Sequence, residues 1–332
     1  MSNPTRRTAV VVRNPAARRA VSREAIAAAA ARTLDSARWD VEVVEAVSAA
    51  DAVPLAAAHA AGGVEAVLAC GGDGTLLGVI NGIVQARRTD CAVGVLPAGT
   101  ANVWAREAGI PSDLDGALAL LEGGTRRPVD LGIARLGEDG IPLRFLLSCG
   151  VGLDGAVVQA VERRDALKRR LGRAAYALPA AVAGALWPPV AARLEADGVT
   201  TTHERLLLAL AANTRRYGGV APVAPGARVD DGLLDLVTFE GDRGLEALPQ
   251  RVAMAVAALT GNLERLELDG VTVRRSAHIV IEPERRLPVQ ADGDAIGWCG
   301  PGQPLLLDAE PAAITMIVAV RPTPIFGGGG AG

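Results

Sequence analysis

The chain reads as two domains: an α/β domain built on a parallel sheet, then an antiparallel and largely β domain. Three observations predict this. The 332 residues exceed what one hydrophobic core usually holds. The first third alternates short apolar runs with alanine-rich helical stretches, whereas strand-like runs between Gly, Asp and Pro turns dominate after Pro128. Hydrophobic residues make up 50% of the chain and aromatics only 3%, so a large core of small side chains is available.

Residues 9–13 read as the first strand, closed by Asn14-Pro15, and residues 21–34 as an alanine-rich helix with Arg and Glu on its polar side. A second strand spans 39–44, and a second helix spans 49–61 and stops at Gly62-Gly63. Residues 66–70 form a buried strand, followed by a glycine loop and a helix from about Thr75. Residues 91–96 make the next strand, broken by Pro97 and Gly99. This rhythm implies parallel strands with helices on both faces. Beyond Pro128, strands are predicted at 129–135, 145–148, 206–211, 234–238, 271–273, 278–281 and 312–320. A helical insert is expected around 157–192, and the glycine-rich tail past Pro322 reads as frayed.

The bulk chemistry narrows the function. A net charge of −3 lacks the basic excess of a nucleic-acid binder. Cys70, Cys91, Cys149 and Cys299 contain no Cys-x-x-Cys pair and read as buried thiols in a reducing compartment. His59, His203 and His278 sit beside no motif and read as surface or packing residues. The polar, basic start has too short an apolar run for a signal peptide. The uncharged stretch 174–192 is interrupted by Pro179, Gly184, Pro188 and Pro189, which argues against a membrane span. The expected location is the cytoplasm.

The sharpest motif is Gly71-Gly72-Asp73-Gly74-Thr75, between a strand and a helix. Its glycines let backbone amides approach a polyphosphate, the helix adds its positive end, Thr75 adds a hydroxyl, and Asp73 a carboxylate near the transferred phosphate. It is not a Walker A loop, because no Gly-Lys-Ser/Thr follows, and Gly78 lies one residue too far for G-x-G-x-x-G. A second strand-to-helix turn, Pro97 to Asn102, offers Thr100 and Asn102 on the same sheet edge, where Asn14-Pro15 also ends its strand.

Asn14-Pro15, the 71–75 loop and Pro97-x-Gly99-Thr100-x-Asn102 together resemble the catalytic domain of the diacylglycerol kinase family, which includes sphingosine and ceramide kinases. Tyr217-Gly-Gly-Val-Ala-Pro, Arg228-Val-Asp-Asp-Gly-Leu-Leu-Asp235 and Pro288-Val-Gln-Ala-Asp-Gly-Asp294 resemble its second domain. NAD kinases share the glycine loop, but the Asn-Glu dipeptide expected after it in them is missing. The resemblance implies a Rossmann-like N-terminal domain of the NAD kinase/diacylglycerol kinase type, residues 1–128 with a returning segment about 306–322. A β-sandwich spans 129–305. It further implies ATP held by Asn14, Gly71, Gly72, Asp73, Gly74, Thr75, Leu76, Leu77, Thr100 and Asn102. A structural Mg²⁺ would sit on Asp231 with the carbonyls of Arg228 and Leu233, ligands of the hard oxygen type that this ion prefers. Asp294, or its neighbour Asp292, would accept the proton of a lipid hydroxyl, and Asp73 would assist at the phosphates.

Three positions depart from the family. Asp294 stands where Glu is usual, Val103 where an aspartate often follows the asparagine, and Ala46 where a threonine is common. The basic run Arg163-Arg164, Lys168-Arg169-Arg170 and Arg173 beside an apolar stretch with Tyr176 and Trp187 would suit an anionic membrane surface. The expected protein is thus a lipid kinase, peripheral at the inner face of the membrane, with a homodimer allowed. The competing readings are an NAD kinase-like enzyme and a nucleotide- or lipid-binding regulator with weakened catalysis.

Overall fold

The computed structural model describes residues 6–88, 90–156, 187–218, 221–242, 245–260, 262, 269–321 and 323–327. The chain divides into two compact units, Met1–Asp130 with Ala312–Gly332, and Leu131–Pro311.

In the first unit, strands β1 (Arg7–Arg13), β2 (Trp39–Glu45), β3 (Ala66–Gly71) and β4 (Ala92–Pro97) are parallel, in the order β2-β1-β3-β4. Val10, Val11, Val12 and all of β3 are buried, as continuous apolar runs in a sheet covered on both faces require. Helices α1 (Arg23–Thr33), α2 (Ala49–Ala61), α3 (Asp73–Gln85), α4 (Val103–Glu107) and α5 (Leu114–Gly123) connect them. The chain steps outward from β1 to β2 and then back through β3 to β4. Right-handed crossovers therefore put α1 on one face and α2 and α3 on the other. Packing agrees, since α1 lies on α5 and α2 on α3. Ser22, Ser48 and Asp113 cap α1, α2 and α5 by accepting from the N–H groups of Ala25, Asp51 and Gly116.

The second unit is almost wholly antiparallel. Its strands are β6 (Leu143–Phe145), β7 (Ser148–Gly152), β8 (Val190–Ala196), β9 (Val199–Ala212), β10 (Leu234–Glu240), β11 (Val271–Ser276), β12 (His278–Pro283), β13 (Leu287–Ala291) and β14 (Asp294–Cys299). Strand β5 (Thr125–Leu136) leads the chain out of the first unit, and β15 (Leu305–Val318) returns it. The first part of β15 pairs with β12 at Asp308↔His278, and its last part joins β4 at Met316↔Val93. The long β9 pairs with β7, β8 and β10, which separates two cores. One gathers Phe145, Leu194, Leu206, Ile281 and Leu305. The other lies between β9, β10 and helix α6 (Leu248–Thr260), around Leu210, Val237 and Met254.

Several expectations change. The strand predicted at 145–148 is two strands, because the amides of Leu146, Leu147 and Ser148 turn aside to a carboxylate described below. Residues 190–192 of the expected helical insert open β8, and residues 157–186, with the basic run, lie outside the described residues. The helix after the glycine loop starts at Asp73. Residues 323–327 of the tail are held in place: Ile325 and Phe326 are buried, Phe326 meets Trp104 edge-on at 6.4 Å, and the Arg127 guanidinium lies 5.1 Å above its ring. All four cysteines are buried free thiols. Among the described residues no helix is long and apolar enough to cross a membrane.

Candidate functional site

Three strand ends meet at the carboxyl edge of the first unit. The amide of Asn14, just past β1, donates to the Cys70 carbonyl at 2.9 Å, and the amides of Ala98 and Gly99, past β4, both donate to the Gly71 carbonyl at 2.9 and 3.0 Å. The two glycine turns touch backbone to backbone: a Cβ on Gly99 would collide with the Cα of Gly72. Only glycine permits this approach. Asn14 Nδ2 donates to the Thr75 hydroxyl at 3.3 Å, and Asn102, at a φ of +47°, folds its amide back onto the N–H and C=O of Gly99 at 3.0 and 3.1 Å.

Asp73 occupies an unforeseen position. Its two carboxylate oxygens accept the N–H groups of Val103 and Trp104 at 3.0 and 3.2 Å, so it caps α4 from the neighbouring turn. Burial raises its pKa, and those two amides oppose the shift. The side chain expected beside the phosphates is thus a clasp between the two turns. Val103 also fits: its amide, not its side chain, completes the clasp.

Helix α3 begins after Gly72, so the N–H groups of Gly74 and Thr75 have no partner within the helix and form the positive end of its dipole. Leu76 departs from the expected nucleotide set. Its side chain is buried in the core and its amide already donates to the Gly72 carbonyl at 3.1 Å. Gly74 and Thr100 are exposed, Asn14, Gly72, Leu77 and Asn102 are half-buried, and Gly71 and Thr75 are buried.

The acidic turn of the second unit links β13 to β14. Asp292 and Gly293 have φ of +50° and +90°, the two-residue Asp-Gly turn that matches the twist of a hairpin. The Asp292 carboxylate accepts from Leu146, Leu147 and Ser148 N–H at 2.7, 2.8 and 3.0 Å. Three amide donors hold it against the 146–148 segment. Asp294, one step beyond the turn, opens β14 with its side chain exposed. The sequence put Asp294 first with Asp292 as its alternative, and the two differ in the structure by exposure and hydrogen bonding.

The turn expected to hold Mg²⁺ presents Arg228 exposed and Asp231 half-buried, with Asp231 Oδ1 accepting the Leu233 amide at 3.1 Å and Gly232 at a φ of +73°. One carboxylate and two peptide carbonyls on a single short turn form an all-oxygen donor set, which fits a hard cation. Sequence reasoning passed over Asp154 and Gln290. Gln290 lies within the quoted Pro288–Asp294 motif, but nothing in the sequence tied it to Asp154.

Comparison with known proteins places the two units in known families. Residues 8–134 match the diacylglycerol kinase catalytic domain, and residues 148–318 match the YegS C-terminal NAD kinase beta sandwich-like domain. A protein of Mycobacterium tuberculosis named "Diacylglycerol kinase" is 33% identical over 281 residues, covering 83% of this chain and 85% of that one. A Pseudomonas fluorescens protein named "Probable lipid kinase YegS-like" is 32% identical over 312 residues, covering 94% and 95%. The crystal structure of a diacylglycerol kinase from Bacillus anthracis superposes with a TM-score of 0.68 at 19% identity, covering 95% of this chain and 97% of that one, a likeness of fold. Paired glycine turns on a parallel sheet, an Asp-Gly hairpin on a β sandwich-like domain and relatives matched over most of their length lead to one assignment: this chain belongs to the diacylglycerol kinase and YegS-like lipid kinase family.

Proposed function

We propose that the chain transfers the γ-phosphate of ATP to the hydroxyl of a membrane lipid of the diacylglycerol type, giving a lipid phosphate. The observation that carries this reading is the pair of interlocked glycine turns, where Gly72 meets Gly99 and the first amides of α3 face the same edge. Backbone amides at a helix N-terminus bind phosphate oxygens without desolvating a charged side chain. Thr75 and Thr100 add hydroxyls, Asn14 orients the first, and Asp73 holds the turns in register. Asp294 accepts the proton of the attacking hydroxyl as the new P–O bond forms and ADP leaves with the bridging oxygen. Mg²⁺ bound with ATP would neutralise phosphate charge, and a second ion on Asp231 with the Arg228 and Leu233 carbonyls would brace the second unit. The enzyme works at a membrane surface, where its acceptor resides, and from the cytoplasmic side, where ATP is found.

The test is radiolabelled ATP with vesicles carrying diacylglycerol, monoacylglycerol or a sphingoid base, beside NAD and fructose 6-phosphate in solution. Label is expected in an extracted lipid, lost on chelating Mg²⁺. Label found only in NADP would replace this reading with the NAD kinase one. Intact ATP binding without transfer to any acceptor would favour the regulator, for which the shorter Asp294 is the favouring residue.

A further inference from the structure

A buried polar chain runs through the second unit to the acidic hairpin. Asp154 and Gln290 are 5% and 1% exposed, and polar groups so deep require partners. Asp154 Oδ1 accepts the hydroxyl of Tyr217, and Oδ2 accepts Gln290 Nε2 at 2.5 Å. The other end of the same amide, Gln290 Oε1, accepts the N–H of Gly293 at 2.8 Å, at the centre of the Asp292-Gly293 turn. Gln290 lies opposite Gly150 in the β7–β13 pair, and a side chain on Gly150 would strike the Asp154 carboxylate. Strand β7 thus leaves open the passage through which Asp154 reaches the hairpin.

The chain of bonds has a direction. An ionised Asp154 only accepts, so it forces the Gln290 amide to present nitrogen toward it and oxygen toward Gly293. Asp154 therefore sets which way Gln290 faces, and Gln290 supplies one anchor of the hairpin carrying Asp294, beside the Asp292 contacts. Two further donors and acceptors complete the setting: Asp292 bonds the 146–148 amides, and Cys149 is a thiol held neutral by burial and by the neighbouring carboxylates of Asp154 and Asp292.

We propose that Asp154, Gln290 and Tyr217 are positioning residues, a buried relay that aims the Asp292–Asp294 hairpin for proton acceptance. This rests on the role proposed for Asp294. The relay makes a prediction that ordinary packing does not. Asp154→Asn leaves one acceptor for two donors, and where that oxygen answers the Tyr217 hydroxyl an NH₂ group stands against the NH₂ of Gln290. Gln290 then flips and turns its donors on the Gly293 amide. Adding Gln290→Glu restores an acceptor toward both that NH₂ and Gly293 while keeping the net charge.

Steady-state kinetics on the full chain, with ATP and lipid vesicles, tests it. Asp154→Asn is expected to lower kcat about 10- to 100-fold, as sub-ångström to ångström misplacement of a reacting group does. KM for ATP should stay within about twofold, since every expected nucleotide ligand belongs to the other unit. The exchanged pair, Asp154→Asn with Gln290→Glu, should recover most of the lost kcat. Tyr217→Phe, which removes one hydroxyl and little volume, should lower kcat about 3- to 10-fold and serves alone if Asp154→Asn does not fold. A parent-like kcat in Asp154→Asn or in Tyr217→Phe, or no recovery in the exchanged pair, would overturn the relay. Asp294→Ala, assayed in parallel, separates the two ideas: full phosphotransfer there removes the base assignment itself, whatever the relay variants do.

Discussion

A methyl group on Gly99 would have to occupy the space of the Gly72 α-carbon, so the two turns would separate. Gly99→Ala is therefore predicted to raise KM for ATP at least about tenfold, read by initial rates, because phosphate-binding amides on one turn lose their register with the other. The neighbouring aspartates of the hairpin should respond in opposite ways. Asp292→Ala leaves the amides of Leu146, Leu147 and Ser148 without their acceptor, and stranded buried donors are destabilising by about 1–3 kcal/mol each, so its melting temperature falls. Asp294→Ala removes an exposed carboxylate and leaves the melting temperature near that of the parent, while kcat falls about 10²- to 10⁴-fold. A melting curve and a rate for each variant check the contrast. Asp294→Glu, one methylene longer, is expected to stay active.

Among the elements, the turn after β7 carries the clearest pH signature. Burial raises Asp154 from the ordinary 3.8 to about 6, against the lowering effect of the Tyr217 and Gln290 hydrogen bonds. Between those two values the folded chain holds a proton that the unfolded chain has lost, so stability declines as pH rises through this window. The interval corresponds to about 3 kcal/mol. Calorimetry from pH 4 to 7 should show a decline in the parent that is absent in Asp154→Asn, whatever the variant's absolute stability. Ionisation strengthens both hydrogen bonds of Asp154 by charge, so through this window stability and the firmness of the relay pull this residue in opposite directions.

Regular elements were legible wherever pattern and punctuation agreed. Helix α2 spans the residues 49–61 that its apolar pattern and Gly62-Gly63 place it on, and the strands of the first unit lie within two residues of their apolar runs. The glycine turns were legible as close-packed strand-to-helix turns because their geometry is local. Long-range commitments were not. Asp73 spends its carboxylate on an amide 30 residues away, and Asp292 on amides 144 to 146 residues away, distances at which sequence spacing carries no signal. Phe326 was hidden for the same reason, since its partners Trp104 and Arg127 lie far along the chain.

For the whole molecule, the C-terminal residues are part of the first unit's core. Ending the chain at residue 322 removes buried Ile325 and Phe326, and loss of a buried phenylalanine side chain alone is destabilising by about 3–5 kcal/mol. The truncated chain should melt well below the parent and expose Trp104 to quenchers of its fluorescence. A parent-like melting temperature would show the tail to be dispensable.

The return of β15 to β4 also has a consequence for biosynthesis. Strand β4 is paired with β3 on one side and meets its other neighbour only at Met316, some 220 residues later in translation. Throughout that interval the nascent first unit emerges from the ribosome with an open sheet edge, a template for wrong pairings. The half that is made first is finished last. A chain stalled before Ala312 should therefore bind chaperones and draw proteases, and enzymatic competence should appear only once Met316 has joined the sheet.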